Sequence, residues 1–569
     1  MDCTAEFLEA RLAGATEVGY IPSPESGGLY PTISRKMLLQ IMLFISGAAV
    51  LALELLASRI MTPYFGVSLY IWTGILSITL IALALGYWSG GRLAARRGPP
   101  DTARLAQLYA LMPAVSAFAI VAACLVYPFL FPKLAASDLV LGAFASCLVL
   151  LFVPLAAASA MNPLLVAILL ARGGAQAGDA GAGKVFFIST IGSVAGVFVT
   201  AFGLIPYFSN FSATLMVALA LALLALAASA RPPVPLAARG RLGITAGVAA
   251  FIAALALWQA DAYIARMWPA NYGNRTWQPE TSLRSLFGTV KILRSNTDEN
   301  GRFVRLYFQD GLVQNTVGSD GQSLSFYTYA LEALAYTYLP RPRSALVLGL
   351  GAGIVPMRLA ARGVAVEAVE IDPASLTAAT RYFGFDAARV RVHLADARTQ
   401  LKRCPHGYDV VVVDLFHGDG TPDYLITRDF FSDLRRCLAP GGIAVFNTFA
   451  DIERPAAYAH LLATLRAELP HLALYRPDWP GALHINSFIV ASVKALPEPV
   501  EATVDHVPPQ HSAALTAMIA SPQVMNRGLF KDGEIVTDAR NRALHDIAES
   551  QIIYRRAVVE SVPAAFLVN

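Results

Sequence analysis

No histidine precedes His393 in this 569-residue chain; all nine lie at or after it. The first half therefore has no imidazole for a metal site or a proton relay. Charge is scarce there too, above all between Met37 and Ala260, and only 15% of the whole chain is charged, against roughly 25% in soluble domains. With 56% hydrophobic residues and a mean hydropathy of +0.52, a wholly soluble or a disordered chain is excluded. Cysteine is sparse as well. Cys3, Cys124, Cys147, Cys404 and Cys437 form no CxxC and no regular spacing, which speaks against structural zinc and against a disulfide scaffold. The net charge of +4 is dispersed, with no basic stripe interleaved with aromatics, so no nucleic-acid partner is expected.

What is present divides the chain in two. A bilayer core of about 30 Å takes about 20 apolar residues at helical rise. Seven segments meet that requirement, at 37–58, 69–89, 105–131, 138–159, 184–205, 211–230 and 242–262. The stretch Met161–Leu170 is too short to span alone, and Pro163 marks it as an extension of the fourth span or an interfacial turn. Gly192 and Gly196 make a GxxxG packing face in the fifth span. Residues 1–35 are acidic in part and lack an apolar core, so they read as a mobile or amphipathic tail and not a signal peptide.

Alternate loops carry the positive charge. Arg92, Arg96, Arg97 and Arg104 flank the second connection, Arg172 and Lys184 the fourth, and Arg231, Arg239 and Arg241 the sixth; the other loops hold only Arg59 and Lys133. The positive-inside rule puts the basic loops and the N-terminus in the cytoplasm of a bacterial inner membrane, and seven spans then leave the C-terminal half outside. A cytosolic cofactor for that half argues the opposite side. Glu54, inside the first span, has two readings: a polar site with Arg59 for a substrate head group or amine, or a carboxylate near a helix end that pairs or snorkels.

Beyond Ala265 the pattern is that of an ordinary enzyme. Ser285–Leu293 and Arg302–Phe308, separated by Asn-Thr-Asp-Glu-Asn-Gly, predict a hairpin in a small antiparallel subdomain. Apolar strands at Ala345–Gly349, Val364–Ile371, Val390–Leu394, Val410–Asp414 and Ile443–Thr448 alternate with helices around 354–362, 373–382 and 428–438. That alternation predicts a doubly wound, Rossmann-like parallel sheet covered on both faces, with ligands at the carboxyl ends of its strands. Gly349, Gly351 and Gly353 form the first strand-end loop; Glu370 is placed to accept two ribose hydroxyls, Asp396 to accept from the adenine amine, and Asp414 ends the fourth strand. A nicotinamide site would account for the first two features but not for Asp396 and Asp414. The expected organisation is a tail (1–35), a multi-pass helical region (36–262), a small β subdomain with connector (263–330), a nucleoside-binding domain (331–500) and a C-terminal extension (501–569).

Over about residues 282–495 these features resemble the spermidine synthase superfamily, which shares its fold with S-adenosylmethionine methyltransferases. More closely, the chain is similar to membrane-fused spermidine synthase-like proteins, through Glu54-Leu-Leu-Ala-Ser-Arg59, Pro63-Tyr-Phe-Gly66 and Gly86-Tyr-Trp-Ser-Gly-Gly-Arg92 and through Gly183–Pro206. The resemblance implies that Gln314, in Asp310-Gly-Leu-Val-Gln314, touches the nucleoside, that Glu370 holds the ribose, and that Asp396-Ala397 meets the adenine. It implies Asp414 as the catalytic aspartate, helped by a tyrosine near Tyr327, and a covering loop from Asp414 to Thr427 that contains Asp419 and Pro422. The chain departs from the family at Ala352, where an aspartate usually holds the donor's propylamine, and in Asp414-Leu-Phe-His-Gly-Asp419, which replaces Asp-Ser-x-Asp-Pro. Acidic residues for the far end of putrescine are not evident.

An amine attacking the carbon of a sulfonium needs in-line placement and a free lone pair, and a carboxylate can take its proton, so no metal is required. His417 is a second candidate base. Three readings follow. The first is aminopropyl transfer from decarboxylated S-adenosylmethionine to an amine at the membrane, with methylthioadenosine released. The second is methyl transfer from S-adenosylmethionine to a lipid or membrane-soluble acceptor. The third is a non-catalytic nucleoside sensor coupled to a small membrane carrier. The lipid bilayer and a small-molecule acceptor are the expected partners, and a homodimer is compatible with all three.

Overall fold

The computed structural model describes residues 35–569 apart from 68, 96–100, 174–177, 232–233, 405–406, 417–421, 452–455, 478–483, 501, 503, 522–532 and 542. Apolar content over stretches longer than a globular helix needs makes the first half helical. Seven described helices are long and apolar enough to cross a membrane: Met37–Phe65, Ile71–Ala94, Thr102–Ser137, Leu139–Ala171, Gly181–Leu204, Asn210–Ser229 and Leu236–Trp258. The fourth runs on through Pro163, so Met161–Leu170 continues that helix and is not a separate turn. Asp101, Asp138 and Ser209 start the third, fourth and sixth helices by accepting backbone N–H groups of the first turn.

The first and fifth helices touch backbone to backbone. A Cβ on Gly192 would lie 2.1 Å from the Phe44 carbonyl oxygen, one on Gly196 2.1 Å from that of Ala48, and one on Gly47 2.2 Å from that of Ser189. The GxxxG face therefore does pack, and it docks on the first helix.

Strands β1 (Ala270–Tyr272), β2 (Arg275–Ser285), β3 (Gly288–Ser295), β4 (Val304–Gln309) and β5 (Leu312–Gly318) form an antiparallel meander in sequence order. The expected hairpin is the β3–β4 pair. Two-residue turns close β2–β3 at Leu286-Phe287 and β4–β5 at Asp310-Gly311. At the second turn Asp310 and Gly311 both take positive φ, 47° and 93°, which is what an Asp-Gly turn of this length requires.

The second sheet is built from β6 (Ser344–Leu348), β7 (Ala365–Glu370), β8 (Val390–Leu394), β9 (Tyr408–Val413), β10 (Leu438–Asp451), β11 (His471–Tyr475) and β12 (His484–Ser492). Its order is β11-β12-β10-β9-β6-β7-β8, with β12 antiparallel to both neighbours. The chain order reverses direction between β6 and β9, so the carboxyl ends of these two strands flank the crevice where such sheets bind ligands. β9, Tyr408-Asp-Val-Val-Val-Val413, with four consecutive valines, sits at the centre.

The halves share one apolar core. Residues of the first, third and sixth helices cluster with Trp277, Leu293 and Phe308 of the small sheet and with Val559 and Phe566 near the C-terminus. Polar pins cross the same junction. The Arg555 guanidinium, on helix Ala543–Ser561, donates to the carbonyls of Pro63 and Asp310 at 3.2 and 3.0 Å. Lys291 donates to the carbonyls of Phe566, at 2.8 Å, and Val568. The small sheet thus lies against the bundle end that bears Phe65 and Ser137, away from the basic helix ends at Arg92 and Arg104.

Cysteine holds one departure from expectation. Cys404 and Cys437 are joined by a disulfide with Cα atoms 5.7 Å apart, because the chain entering β9 and the chain entering β10 run side by side. Among the described cysteines it is a single cross-link, and Cys124 and Cys147 are buried thiols.

Candidate functional site

The carboxyl ends of β6, β7, β8 and β9 open into one cavity of about 580 Å³. Of the residues singled out in the sequence, it is lined by Gln314, Tyr327, Gly349, Gly351, Glu370, Asp396, Ala397, Asp414 and Pro422. Gly353 is not among them. It starts the helix Ile354–Ala361 with φ 76°, and a Cβ there would strike the Phe385 ring, so its constraint is packing. Asp419 and His417 lie outside the described residues. Glu54 stands apart, half-buried in the first helix and on no wall of this cavity. Arg59 reaches away from it and donates to the Leu286 carbonyl at the β2–β3 turn.

Each carboxylate is fixed by the local chain. Glu370 ends β7 with 9% of its surface exposed; its Oε2 accepts from Leu350 N at 3.0 Å and its Oε1 from Asp372 N at 2.8 Å. Burial outweighs these donors and holds its carboxyl above the ordinary range. A carboxylate offers about four lone-pair positions, and with Gly351 N as a third backbone donor one remains for a hydroxyl in the cavity. Asp396 caps the helix Ala397–Lys402, with Oδ1 accepting from Thr399 N at 2.8 Å and from its hydroxyl at 2.9 Å. Only Oδ2 faces the cavity side, where the Tyr424 hydroxyl donates to it at 3.3 Å. Asp372 caps the helix Pro373–Tyr382 in the same way, through Ala374 N at 2.8 Å.

Asp414 follows β9 at the centre of the sheet. Its Oδ1 accepts from Asn447 Nδ2 at 2.8 Å, and Asn447 Oδ1 accepts in turn from Asn486 Nδ2 at 2.9 Å. This file of amides comes from β10 and β12 and fixes the carboxylate's rotamer. Desolvation pushes its carboxyl up to about 6, against the pull of Asn447. Gly349 passes so close that a Cβ would lie 2.1 Å from the Asp414 carbonyl oxygen, and its φ of 93° also favours glycine. Tyr327 stands half-buried in the cavity wall. Its oxygen accepts from Asn315 Nδ2 at 3.0 Å, leaving its own proton to donate. Burial, with the charge of Asp414 second, raises its pKa well above the usual tyrosine value, so it stays protonated.

Electrostatically the cavity has one sign. Four carboxylates line it, Glu370, Asp372, Asp396 and Asp414, and among the described lining residues there is no Lys, Arg or His. Such a site attracts cations and disfavours a pyrophosphate. Ala352 is 2% exposed and packs with Val290, Ile292 and Tyr307, so no group stands where the family aspartate would.

Sequence reasoning missed several wall residues. Asn447 and Asn486 carry no local signal, since their relation comes from antiparallel pairing of β10 with β12. Phe416, Phe449 and Tyr554 form an aromatic wall, with ring centroids 5.0 Å apart for the first pair and 5.5 Å for the second. Tyr554 comes from the C-terminal extension, adjacent to Arg555. The same extension braces the rim, where Asn541 donates to the Asp423 carbonyl at 3.1 Å and Asp538 accepts from the Thr427 hydroxyl at 2.8 Å.

Residues 324–471 match the family model described as the spermine/spermidine synthase domain. A polyamine aminopropyltransferase of Vibrio vulnificus is 33% identical over 180 residues, covering 30% of this chain and 58% of that protein. One from Moorella thermoacetica is 28% identical over 239 residues, covering 39% of this chain and 81% of the relative. A spermidine synthase structure from Thermotoga maritima aligns with 17% identity and a TM-score of 0.36, covering 46% of this chain and 96% of that one. The α/β half of the chain is thus spermidine synthase-like, while the chain spans under two thirds of the Vibrio relative's length.

Asp414 yields a prediction independent of any reaction. Its folded-state pKa lies above the value of 3.8 it has when unfolded, so its ionisation works against the fold. The penalty is absent below about pH 4 and complete above about pH 6, and a shift of this size corresponds to on the order of 3 kcal/mol. Asp414→Asn in the detergent-solubilised protein should therefore melt higher than wild type at pH 8, by a few degrees, with the gap closing toward pH 4. A constant gap, or a lower melting temperature at pH 8, would contradict the assignment.

Proposed function

We propose that this chain is an integral membrane transferase that moves an aminopropyl group from decarboxylated S-adenosylmethionine to an amine acceptor at the bilayer and releases methylthioadenosine. The observation that carries the reading is the acidic cavity, with four carboxylates at strand ends and no basic group among its described walls. In this reading Glu370 holds a ribose hydroxyl, Gln314, Asp396 and Ala397 meet the base, and Gly349 and Gly351 let the backbone approach the nucleoside. Pro422 lines the cavity beside them.

The reaction needs little of the protein beyond placement, because a sulfonium is already an activated leaving group. The neutral amine attacks the carbon beside sulfur; the C–N bond forms as the C–S bond breaks, and the bonding pair stays on sulfur as a neutral thioether. Asp414 accepts a hydrogen bond from the attacking nitrogen, which aims its lone pair, and then takes the proton that nitrogen sheds. Tyr327, protonated and held by Asn315, donates from the facing wall. Since Asp414 acts as the carboxylate, turnover rises with pH through about 6.

The buried Ala352 favours a second reading, methyl transfer from S-adenosylmethionine, since no carboxylate grips a propylamine there. Supplying the purified protein with each sulfonium donor separates the two. The first reading predicts methylthioadenosine, lost by on the order of 100-fold or more in Asp414→Asn; S-adenosylhomocysteine as the only product would replace it with the second.

The membrane setting rests on the seven apolar helices and on their charge pattern. The soluble half packs at the charge-poor end, so the positive-inside rule assigns it to the side away from the cytoplasm, and the donor has to be supplied at that face. A protease site inserted in the exposed β3–β4 turn, at Glu299–Arg302, should be cut in right-side-out vesicles and protected in inverted ones. The reverse pattern would place the domain in the cytoplasm. The C-terminus is a poor tag position because Asn569 is buried and its carbonyl accepts from Phe211 N.

A further inference from the structure

A second cavity lies where the bundle meets the small sheet, and it borders the first. It has a volume of about 270 Å³, and Phe287, at the tip of the β2–β3 turn, lines both cavities. One wall is a single face of the first long helix, where Leu55, Ser58, Arg59 and Thr62 follow one another at helical spacing. The opposite wall is the hairpin tip with Asp310. The mouth is apolar: Val67, Trp72 and Leu286 all line this cavity and are each 44% exposed.

We infer that this cavity binds a primary amine joined to a phosphate, as the head group of an aminophospholipid, and that it is the acceptor's entrance to the reacting centre. The inference rests on the transferase reading above and names its acceptor class. Charge complementarity supports it. The cavity holds both a guanidinium and a carboxylate, Arg59 and Asp310, so it suits a zwitterion. Arg59 has five N–H donors, of which the Leu286 carbonyl takes one, and a phosphate is a natural acceptor for the others. The neighbouring cavity has no cation among its described walls, so it would reject the phosphate and admit the amine. Exposed apolar side chains at the mouth, Trp72 among them, are where acyl chains leave a polar pocket for the bilayer.

The reacting centre agrees with such an acceptor. Next to Asp414 the chain continues as Leu415-Phe416, and Phe416, Phe449 and Tyr554 offer ring faces that hold an incoming ammonium by its charge. Phe287 is the side chain both cavities share on the amine's way to Asp414. The transfer then balances as above: the lipid nitrogen gains the aminopropyl carbon, the sulfonium becomes methylthioadenosine, and one proton leaves through Asp414.

The test uses the full-length protein in vesicles carrying a photoreactive phosphatidylethanolamine, with and without the sulfonium donor. Crosslinks should fall on the peptides that contain Trp72 and Phe287. Arg59→Gln should cut them at least tenfold while leaving donor affinity unchanged, which reports an intact fold. Millimolar free phosphoethanolamine should not compete, and with donor present the lipid amine should gain one aminopropyl group. Labelling undiminished in Arg59→Gln, or spread over the other helices, overturns the site; full competition by phosphoethanolamine overturns a lipid source. Methylthioadenosine formed from a soluble diamine with no lipid labelling sinks this inference and leaves the transferase reading standing. Arg59-dependent labelling with no product from any acceptor leaves a lipid site and sinks the transferase.

Discussion

One buried guanidinium ties the reacting centre to the helical bundle. Arg555 has no exposed surface, and it bridges the end of the first long helix, at Pro63, to the β4–β5 turn, at Asp310. Gly311 lies under the same contact: a Cβ there would come within 2.3 Å of the Pro63 oxygen and 2.4 Å of Arg555 Nη1. The Asp-Gly turn is therefore fixed twice, by its own backbone conformation and by the closeness of the bundle. That turn sets the register of β5, and β5 carries both Gln314 and Asn315, the partner of Tyr327. Truncating Arg555 would strand two buried carbonyls, at about 1–3 kcal/mol each. Tyr554, one residue away, closes the cavity wall, so packing against the bundle and the shape of the site are one constraint.

Charge of one sign gives that shape its chemistry. Glu370, Asp372 and Asp396 are each held by backbone N–H groups at strand ends and helix starts, which keeps them anchored and leaves acceptor capacity toward the cavity. Asp414 differs, since the side-chain amide of Asn447 holds it and burial keeps its carboxyl near 6. In the proposed reaction these supply three fixed acceptors for a cationic nucleoside and one carboxylate for proton transfer.

Much of this was legible in the residues. Apolar runs of more than 20 residues announced the long helices, and β9, with four consecutive valines, could only be a central strand. Strand-end acids were readable because the fold puts ligands there, which is how Glu370, Asp396 and Asp414 came together in the expected cavity. Tertiary packing hid the rest. The Asn447–Asn486 amides meet only through antiparallel pairing, Tyr554 arrives from the far end of the chain, and Arg59 turns from Glu54 to a hairpin carbonyl. Asp396 is half occupied by helix capping, a local duty that strand-end chemistry does not reveal. Gly353 belongs to packing against Phe385, which a glycine spacing cannot distinguish from ligand contact.

The central claim is that the carboxylate-lined cavity selects a positively charged sulfonium nucleoside. Titration calorimetry on the solubilised protein at pH 8 tests it most directly, comparing decarboxylated S-adenosylmethionine with methylthioadenosine, its neutral product, and with a nicotinamide dinucleotide. The account predicts tightest binding of the sulfonium, weaker binding of the thioether and none of the dinucleotide, with Glu370→Ala weakening both nucleosides at least tenfold. Equal affinity for sulfonium and thioether, or measurable binding of the dinucleotide, would contradict it.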